Sequence, residues 1–563
     1  MFSQSWANLP ISLEGYSRAG QVKLVVGTLA IADLIPSPFL LTEYYPTTLP
    51  HLHSIPHFAV KPSLTHLQIL THRVIITIYR LWFHPLSKYP GPKWWGASDM
   101  FWLWHANVRG TYTREAPSLQ RTYGNIVRIG PDRLMVDGSI AWTQVFSLNA
   151  SAHNGLDEFA KVPNQLFPGD YKTIVAAPKE VHRRMRRQLG HAFSETALRE
   201  QEATISLYVG KLADHLERAA EAGDTADVTA WLNYATFDII GDLTFAESFH
   251  NLDDSSFHPY VSGFFRAIRG FAYSRMILAK PHLTPFFLIN PGWREIWTAI
   301  STMRVNMKVG DERVRTRMAM GAEPADGRRD FMTYMMRETR DGRPGFSEQE
   351  IMMNSGLLIG AGSETTASTL SGFFFFAGME VERLRPLVEE IRAAFTDEGE
   401  IDLVSTQHLP YLRACMEETL RCFPTVVETP PRQSPGAMLE GRWVPRGTLI
   451  HVNQVSTMRN PANFVDPESW RPERWLPKSH PLYDPRFEAD NKAAFKPFSH
   501  GPRDCAGKNL AYSEMRLIIC KVLHRLDFEL VGGQERWYAD KHVWSVWEKK
   551  PLHVRFRPRV VAL

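Results

Sequence analysis

Residues 498–507, Phe-Ser-His-Gly-Pro-Arg-Asp-Cys-Ala-Gly, are the most informative stretch of this 563-residue chain because they frame a single cysteine, Cys505. A thiolate stays deprotonated where backbone N–H groups and positive charge surround it. Gly501 permits a tight turn without a Cβ, and Gly507 allows a following helix to approach with its amides toward the sulfur. An apolar pattern that resumes at Leu510 predicts that helix. We therefore expect Cys505 to be a metal-binding thiolate directly before a helix.

The pattern Phe-x-x-Gly-x-Arg-x-Cys-x-Gly fixes five identities in these ten residues. It resembles the haem-binding loop of the cytochrome P450 family. A buried structural thiol, the usual state of a free cysteine, is the alternative interpretation of Cys505. The resemblance implies that Cys505 is the axial ligand of heme b. Phe498, Gly501 and Gly507 would shape the loop around it, and Arg503 would contact a haem propionate.

Residues 359–366 lie in the middle of a helix predicted over 346–380. Their sequence, Ile-Gly-Ala-Gly-Ser-Glu-Thr-Thr, places glycines and polar groups where a buried helix normally has leucine, and each glycine costs about 1 kcal/mol. A dinucleotide fingerprint is rejected because no strand precedes it. A hydroxyl run that only bonds within the helix is the alternative. The stretch resembles the oxygen-binding groove of the family, which implies that Gly362 leaves room for dioxygen and that Glu364 and Thr365 deliver protons.

Two charged motifs are predicted to hold the protein together beneath the cofactor. Glu418 and Arg421 are spaced by three residues, so they lie on one face of a helix that ends before Pro424. A surface ion pair is the ordinary interpretation of that spacing. The pair resembles the family's Glu-x-x-Arg motif, in which Arg474 would be the third member. The resemblance implies a structural role for these three residues.

Further cations match family positions that bind the haem propionates. They are His182, which stands where the family has tryptophan, together with Arg186 and Arg432. Other basic residues near Cys505 predict a patch for an acidic reductase, with an ordinary solvated helix face as the alternative. This basic patch consists of Arg183, Arg184, Arg187, Lys496 and Lys508.

The composition is that of an ordinary globular protein. The chain has 44% hydrophobic residues and a net charge of +4, which predicts no nucleic-acid partner. Its four cysteines all lie in the last third of the chain, so they do not form a disulfide framework and favour a reducing compartment.

The N-terminal region has the least regular pattern of apolar and polar residues in the chain. Residues 1–66 hold many Pro, Ser, Thr and His residues and are predicted to be a poorly packed extension. Residues 67–83 are nearly apolar, but they carry one histidine and two arginines and are shorter than a typical membrane span of about 20 residues. Residues 79–92 resemble the junction that follows the membrane anchor in filamentous-fungal P450s. We expect 67–83 to be the anchor, with an interfacial helix as the alternative, and 84–563 to be the catalytic domain.

Because these motifs occur in the family's order, the chain is identified as a member of the cytochrome P450 family. The resemblance implies a mainly α fold, with a large helical domain, a smaller β-rich lobe and a long central helix over the haem. Short apolar alternations between residues 112 and 136 predict strands of that lobe.

The implied activity is a haem–thiolate monooxygenase that inserts one oxygen atom from O2 into an apolar small molecule. Residues 464–475 resemble members of fungal secondary metabolism. No flavin motif is visible, so electrons from NADPH would arrive through a separate NADPH-cytochrome P450 reductase, with cytochrome b5 as a second donor. The endoplasmic reticulum membrane, with the catalytic domain facing the cytosol, is the expected location. The alternatives are a haem–thiolate isomerase or dehydratase and a non-catalytic haem sensor.

Overall fold

The structure is a computed structural model that describes residues 62–147, 158–162, 172–289, 292–325, 327–338, 342 and 344–559. Most of the extension predicted over 1–66 lies outside the described residues. Helices dominate the described part, and small sheets accompany them, which confirms the mainly α fold with a β-rich lobe.

Residues 62–319 contain twelve described α-helices, several of them short. They are α1 Pro62–Ile78, α2 Lys93–Ala97, α3 Met100–Leu103, α4 Tyr112–Tyr123, α5 Gly138–Ala141, α6 Lys179–Gly190, α7 Glu195–Ala222, α8 Val228–Phe245, α9 Asn251–Asp254, α10 Pro259–Ala279, α11 Thr284–Ile289 and α12 Gly292–Ala319. The second half contains α13 Phe331–Met336, α14 Glu348–Met379, α15 Val381–Ala394, α16 Pro410–Cys422, α17 Gln454–Met458 and α18 Lys508–Arg525.

The sheets are small and join distant parts of the chain. Their strands are β1 Ile126–Gly130, β2 Arg133–Val136, β3 Ala160–Lys161, β4 Thr225–Asp227, β5 Arg432–Gln433, β6 Ala437–Leu439, β7 Arg442–Val444, β8 Leu449–His451, β9 Leu526–Leu530, β10 Val543–Trp544, β11 Val546–Trp547 and β12 His553–Pro558. Five strands form one sheet in the order β1-β2-β8-β5-β3, with β2 and β8 parallel. A second sheet has the order β4-β12-β9, and two hairpins pair β6 with β7 and β10 with β11.

The long central helix is α14, which confirms the helix predicted over 346–380. It begins with a capping box in which the Glu350 amide donates to Ser347 Oγ at 3.3 Å and the Ser347 amide donates to Glu350 Oε2 at 2.8 Å. These bonds satisfy two N–H groups that the first helical turn otherwise leaves unpaired. α14 packs along α8, and α10 packs along α12.

The strand prediction for 112–136 is correct only in part. β1 and β2 occupy residues 126–136, but residues 112–123 form α4. Tyr112, Ala116 and Gln120 recur every four residues and are all buried, so one face of a helix is covered there. This four-residue period outweighs the short alternations that favoured a strand.

The β-rich lobe has its own apolar core beside that of the helical body. Trp142, Phe146, Leu134 and Ile450 belong to it. Trp142 Nε1 donates to the Ala494 carbonyl at 2.9 Å. This bond ties the lobe to the segment that leads toward Cys505.

The junction over residues 79–92 is packed against the catalytic domain. Arg128 donates to the Arg80 carbonyl at 2.9 Å, and its amide donates to the Pro90 carbonyl at 2.7 Å. A Cβ on Gly91 would lie 2.2 Å from the Arg128 carbonyl oxygen, so only glycine fits there. In the described part of the chain, no helix combines the length and the apolar character needed to cross a bilayer.

A buried carboxylate, Glu418, joins α16 to the segment around Arg474. Arg421 donates to both oxygens of Glu418 at 2.8 Å, and Arg474 Nε donates to the same carboxylate at 3.0 Å. The three side chains are at most 1% exposed. Burial is the largest single influence and raises the pKa of Glu418, but the charges and hydrogen bonds of Arg421 and Arg474 together outweigh it and hold that pKa below its ordinary value. The predicted set of three charges is present in the fold.

Replacing Glu418 with glutamine should lower the free energy of unfolding by about 3–5 kcal/mol, because two buried guanidinium groups would lose their charge partner. Denaturant unfolding of the purified protein measures this loss. Glu382→Gln is the matched control, since Glu382 is 81% exposed and pairs with Arg385 only at 3.9 Å. Equal effects of the two substitutions would contradict the structural role of Glu418.

Candidate functional site

Cys505 closes a turn whose backbone is held by its own hydrogen bonds. The Cys505 amide donates to the Phe498 carbonyl at 3.0 Å, and the Asp504 amide donates to the Gly501 carbonyl at 3.1 Å. Gly501 has φ +81°, and a Cβ there would lie 2.0 Å from the carbonyl oxygen of Phe146. The tight turn predicted at Gly501 is present. The atom that excludes a side chain there belongs to Phe146, so the structure gives a different reason for this glycine than clearance of the porphyrin.

The thiol of Cys505 differs in exposure from the other three thiols of the chain. Its side chain is exposed, whereas the other three cysteines are buried. Burial is nevertheless the largest influence on the Cys505 thiol and raises its pKa, while a hydrogen bond from the Gly507 amide and the Arg186 charge lower it. The Gly507 amide therefore faces the sulfur, and α18 begins at the next residue.

Phe498 packs beside the start of α18, where its ring centroid lies 5.1 Å from that of Tyr512. Lys508 Nζ lies 6.0 Å from the Phe498 ring centroid. The aromatic side chain therefore covers one side of the Cys505 loop, which is where the motif predicts it.

A cluster of buried positive charge lies beside this loop. His182 and Arg432 are buried, and Arg503 and Lys161 complete the set. Lys161 stands directly opposite Arg432 in the antiparallel pair of β3 and β5, although like charges at such positions repel. Arg503 donates to the Ala177 carbonyl at 2.8 Å, and Lys161 donates to the Val175 carbonyl at 2.9 Å. We call these four residues the cation cluster.

Among the described residues, the cation cluster has one carboxylate partner, Glu158, which lies 3.9 Å from Arg503. Burial, followed by the charge of Arg503, lowers the pKa of Arg432 to about 10. Burial and Arg503 likewise lower the pKa of His182 to about 3. The Nε of Arg432 is buried and has no hydrogen-bond partner in the part of the chain that the structure describes. Repulsion of this kind is relieved by a bound anion.

The two propionates of a haem fit this donor set, because they would bring two carboxylates to the cations that need them. Arg503, Arg432 and Lys161 are the residues that would hold them, with neutral His182 as a further donor. A thiol that accepts a backbone N–H bond completes what a haem requires on its other side. The residues present therefore fit the cofactor that the sequence predicts.

Arg186 forms hydrogen bonds with Asp504, the residue directly before Cys505. Its two terminal nitrogens donate to the Asp504 carbonyl at 3.0 Å and to Asp504 Oδ1 at 2.7 Å. The propionate contact predicted for Arg186 stays a prediction. In the structure this arginine braces the Cys505 loop.

The predicted basic patch needs a correction. Arg184 pairs with Glu350 at 2.5 Å and donates to the Gly345 carbonyl, so its charge is directed at the start of α14. Arg187 and Lys508 are exposed, and Arg183 is exposed with Glu180 as its partner. Arg183, Arg187 and Lys508 therefore have the exposure that the predicted patch requires, and half-buried Lys496 stays a prediction.

The middle of α14 opens at one turn. Thr365 Oγ1 donates to the Ala361 carbonyl at 2.7 Å. Buried Ser363, Thr366, Thr369 and Ser371 make the same bond to the residue four positions before them, as a purely structural hydroxyl run would. Thr365 differs from these four because it is only half-buried, and its acceptor Ala361 is exposed, whereas residues 366–377 that follow are all buried. A polar, accessible turn inside a buried helix is the feature that an oxygen-binding groove requires.

Glu364, next to this turn, is tied to the C-terminal region. Lys549 Nζ lies 2.7 Å from Glu364 Oε2 and donates to Ser368 Oγ at 2.9 Å, while Ser368 Oγ donates to Glu364 Oε1 at 3.0 Å. Glu364 is 2% exposed, so its carboxylate is held by Lys549 and Ser368 instead of projecting freely. Its role in proton delivery stays a prediction.

Helix packing also explains why position 362 is a glycine. A Cβ there would lie 2.6 Å from Cδ1 of Ile240, a residue of α8. The missing side chain therefore allows α8 and α14 to approach closely. Room for dioxygen at Gly362 stays a prediction.

A model of the cytochrome P450 family matches residues 90–556. The chain belongs to this family. It is similar to Cytochrome P450 monooxygenase aclL of Aspergillus oryzae, with 36% identity over 86% of this chain and 95% of the relative. Averantin hydroxylase of Dothistroma septosporum is 34% identical over 88% of this chain and 90% of its own length. Versicolorin B desaturase stcL of Emericella nidulans is 34% identical over 89% of this chain and 99% of its own length. This P450 is accordingly an oxidoreductase.

Sequence reasoning did not find three charged residues of this P450 site. Lys161 reaches the site by pairing with Arg432, which is 271 positions later in the chain. Lys549 reaches it by pairing with Glu364, which is 185 positions earlier. No local sequence pattern marks pairings over such distances. Asp504, however, stands directly before Cys505 inside the motif. Its charge beside Cys505 is the signal that could have identified a partner for Arg186.

Cys505→Ser should abolish the long-wavelength absorption band that the reduced carbon-monoxide complex of this P450 shows, because a hydroxyl is a poor substitute for a thiolate ligand. Cys520→Ser is the matched control, since Cys520 is a buried thiol of α18 and is expected to keep the band. Difference spectra of the two purified variants measure this. A Cys505→Ser protein that retains the band would remove Cys505 as the ligand.

Proposed function

We propose that this P450 is a haem–thiolate monooxygenase that inserts one oxygen atom from O2 into a C–H or C=C bond of an apolar small molecule, by hydroxylation or epoxidation. Heme b, bound through Cys505, would supply the activation of O2, which thiolate donation favours. The observation that carries the proposal is the accessible Thr365 hydroxyl on the open turn of α14. An isomerase, a dehydratase or a haem sensor has no need of a proton-delivering hydroxyl there.

The protein contributes different groups on the Cys505 side and on the α14 side of the site. On the cysteine side, the Gly507 amide donates to the sulfur and Arg186 braces the loop through Asp504. On the α14 side, Thr365 can position a water and pass a proton through its hydroxyl, while its bond to Ala361 keeps the side chain in place. The cation cluster would orient the cofactor between the two sides.

A tailoring step in fungal secondary metabolism is the proposed context. The names of two relatives, a hydroxylase and a desaturase, describe oxidations of small molecules. Electrons from NADPH would come through a separate reductase, with cytochrome b5 as a second donor. Exposed Arg183, Arg187 and Lys508 support docking of an acidic partner near the Cys505 loop.

We also propose that residues 67–83 attach the protein to the endoplasmic reticulum membrane, with the catalytic domain in the cytosol. Large apolar side chains are exposed along α1 and after it, and they would lie in the membrane interface. They are Leu67, Leu70, Val74, Ile75, Ile78, Trp82 and Phe83. The basic residues of this segment can reach the lipid headgroups while the apolar side chains insert.

Thr365→Ala should lower the ratio of product formed to NADPH consumed by about tenfold or more and divert the electrons into hydrogen peroxide, because general acid–base groups contribute about 100-fold to 10,000-fold. The carbon-monoxide spectrum should not change. Ser371→Ala is the matched control, since Ser371 makes the same bond within α14 but is buried. An unchanged ratio in Thr365→Ala with two different substrates would remove Thr365 from the mechanism.

Replacing Leu67, Leu70 and Ile75 together with asparagine should weaken binding to anionic phospholipid vesicles about tenfold or more, because each apolar side chain loses roughly 1 kcal/mol or more of burial. Vesicle flotation of the full chain measures this. The control replaces Val381 and Met438, which are also exposed but lie far along the chain, and should have no effect. Equal flotation of the triple variant and the unaltered protein would contradict the proposal.

A further inference from the structure

Arg275 is an arginine of α10 whose charge is not matched by a partner in the described part of the chain. Its Nε is buried without a hydrogen bond, and no ion pair joins its guanidinium to a described carboxylate. Arg269 of the same helix lies 3.6 Å from Glu295, and Arg266 donates to a backbone carbonyl one turn earlier at 3.3 Å. A buried cation without a partner is unfavourable, so Arg275 is suited to bind an anion.

Arg275 lies on a face of α10 that leads to the open turn of α14. Four half-buried residues with spacings of four, three and four share this face, because such spacings bring side chains to one side of a helix. We call them the α10 stripe, and they are Phe264, Ile268, Phe271 and Arg275. A Cβ on Gly360 would lie 3.4 Å from the Phe264 ring, and Ala361 of the open turn is the next residue. The apolar end of the α10 stripe is therefore beside that turn.

The neighbouring face of α10 is covered by α12. A Cβ on Gly270 would lie 2.1 Å from the Glu295 carbonyl oxygen, and one on Gly263 would lie 2.6 Å from Cγ2 of Thr302. Each of these glycines directly precedes a phenylalanine of the α10 stripe, so the stripe is turned about 100° away from α12. The contact with α12 therefore leaves the α10 stripe half-buried and within reach of a bound molecule.

The length of the α10 stripe sets the shape of a molecule that would occupy it. Arg275 follows Phe264 by eleven residues, which is about 16 Å along the helix axis. A ligand with one end beside the open turn of α14 and the other end at Arg275 must be elongated. Ile268 and Phe271 contribute apolar surface between these ends, so the body of the ligand must be apolar. Its charge belongs at the end that meets Arg275.

We infer that Arg275 binds a carboxylate at the far end of the substrate, so that the substrates of this P450 are elongated apolar acids. A guanidinium matches a carboxylate with two parallel hydrogen bonds, which fix orientation as well as position. With the carboxylate held there, the opposite end of the substrate would lie at the open turn beside Thr365. Arg275 then selects the substrate and decides which end of it is oxidised. This inference rests on the proposed function and names its substrate class.

The charges around Arg275 support this assignment. Burial is the largest influence on its guanidinium and lowers its pKa, while the charge of Glu428 offsets part of that effect. Glu428 Oε1 is itself held 2.8 Å from His451 Nε2. A substrate carboxylate would give Arg275 the close counter-charge that Glu428, paired with His451, does not supply.

Two imidazole compounds of the same chain length test this inference on the haem-loaded protein. They are 12-(imidazol-1-yl)dodecanoic acid and its methyl ester, whose imidazole nitrogen binds the haem iron and shifts the absorption band. The acid should bind about tenfold or more tightly than the ester, because only the acid pairs with Arg275. Arg275→Gln should abolish this preference, and Arg275→Lys should keep part of it. Arg266→Gln is the matched control and should keep it fully, because Arg266 is exposed on another face of α10.

A shorter pair of compounds tests the distance. 6-(Imidazol-1-yl)hexanoic acid should show no preference over its methyl ester, because its chain cannot span about 16 Å. If the purified protein binds no haem, the proposed function fails. If the haem-loaded protein binds the long acid and its ester equally, or if Arg275→Gln keeps the preference, the inference alone fails.

Two measurements without ligand separate substrate binding from other roles of Arg275. The haem content of Arg275→Gln should equal that of the unaltered protein, whereas loss of haem would assign Arg275 to a propionate and overturn the inference. Arg275→Met should not lower the melting temperature, because the folded protein loses an unpaired buried cation. A much lower melting temperature of Arg275→Met would show a structural role and would likewise overturn the inference.

Discussion

One buried carboxylate, Glu418, sets the position of the cysteine side of the site. It binds Arg421 of α16 and Arg474, and Trp475 also donates to it at 2.9 Å. Arg474 in turn donates to Asp490 at 2.6 Å, and the Trp475 ring packs on Phe495 with centroids 4.5 Å apart. These contacts hold the segment from 465 to 495 in place, and that segment ends a few residues before the Cys505 loop. Because each charge in this series is buried, removing one leaves the next unpaired.

The cation cluster differs from this series, because among the described residues its one carboxylate partner is Glu158, which lies 3.9 Å from Arg503. Lys161 and Arg432 face each other across two strands, and Arg503 lies close enough to lower the pKa of both. A ligand with two carboxylates stabilises the folded protein by the free energy of binding, because the unfolded chain has no such cluster. Binding of the cofactor and folding of the β-rich lobe are therefore coupled. A neutral ligand of the same shape would leave the repulsion in place.

The motifs predicted the fold and the positions of Cys505, α14 and the Glu418 set, because each lies in a short segment whose spacing carries its geometry. The loop before α18 and the helix over 348–379 are as expected. Contacts between distant segments could not be predicted in this way. The Arg184–Glu350 pair depends on how α6 meets α14, and the pairing of Lys549 with Glu364 depends on where the C-terminal hairpin lies.

The surroundings of α14 explain why its polar residues divide into different roles. Glu364 is fixed in place by Lys549 and Ser368, so its carboxylate is tied to the C-terminal region. Thr366, Thr369 and Ser371 are buried and donate to carbonyls one turn earlier in α14. Thr365 makes the same kind of bond but is only half-buried. Burial therefore separates the hydroxyls that stabilise the helix from the Thr365 hydroxyl, which a bound molecule can reach.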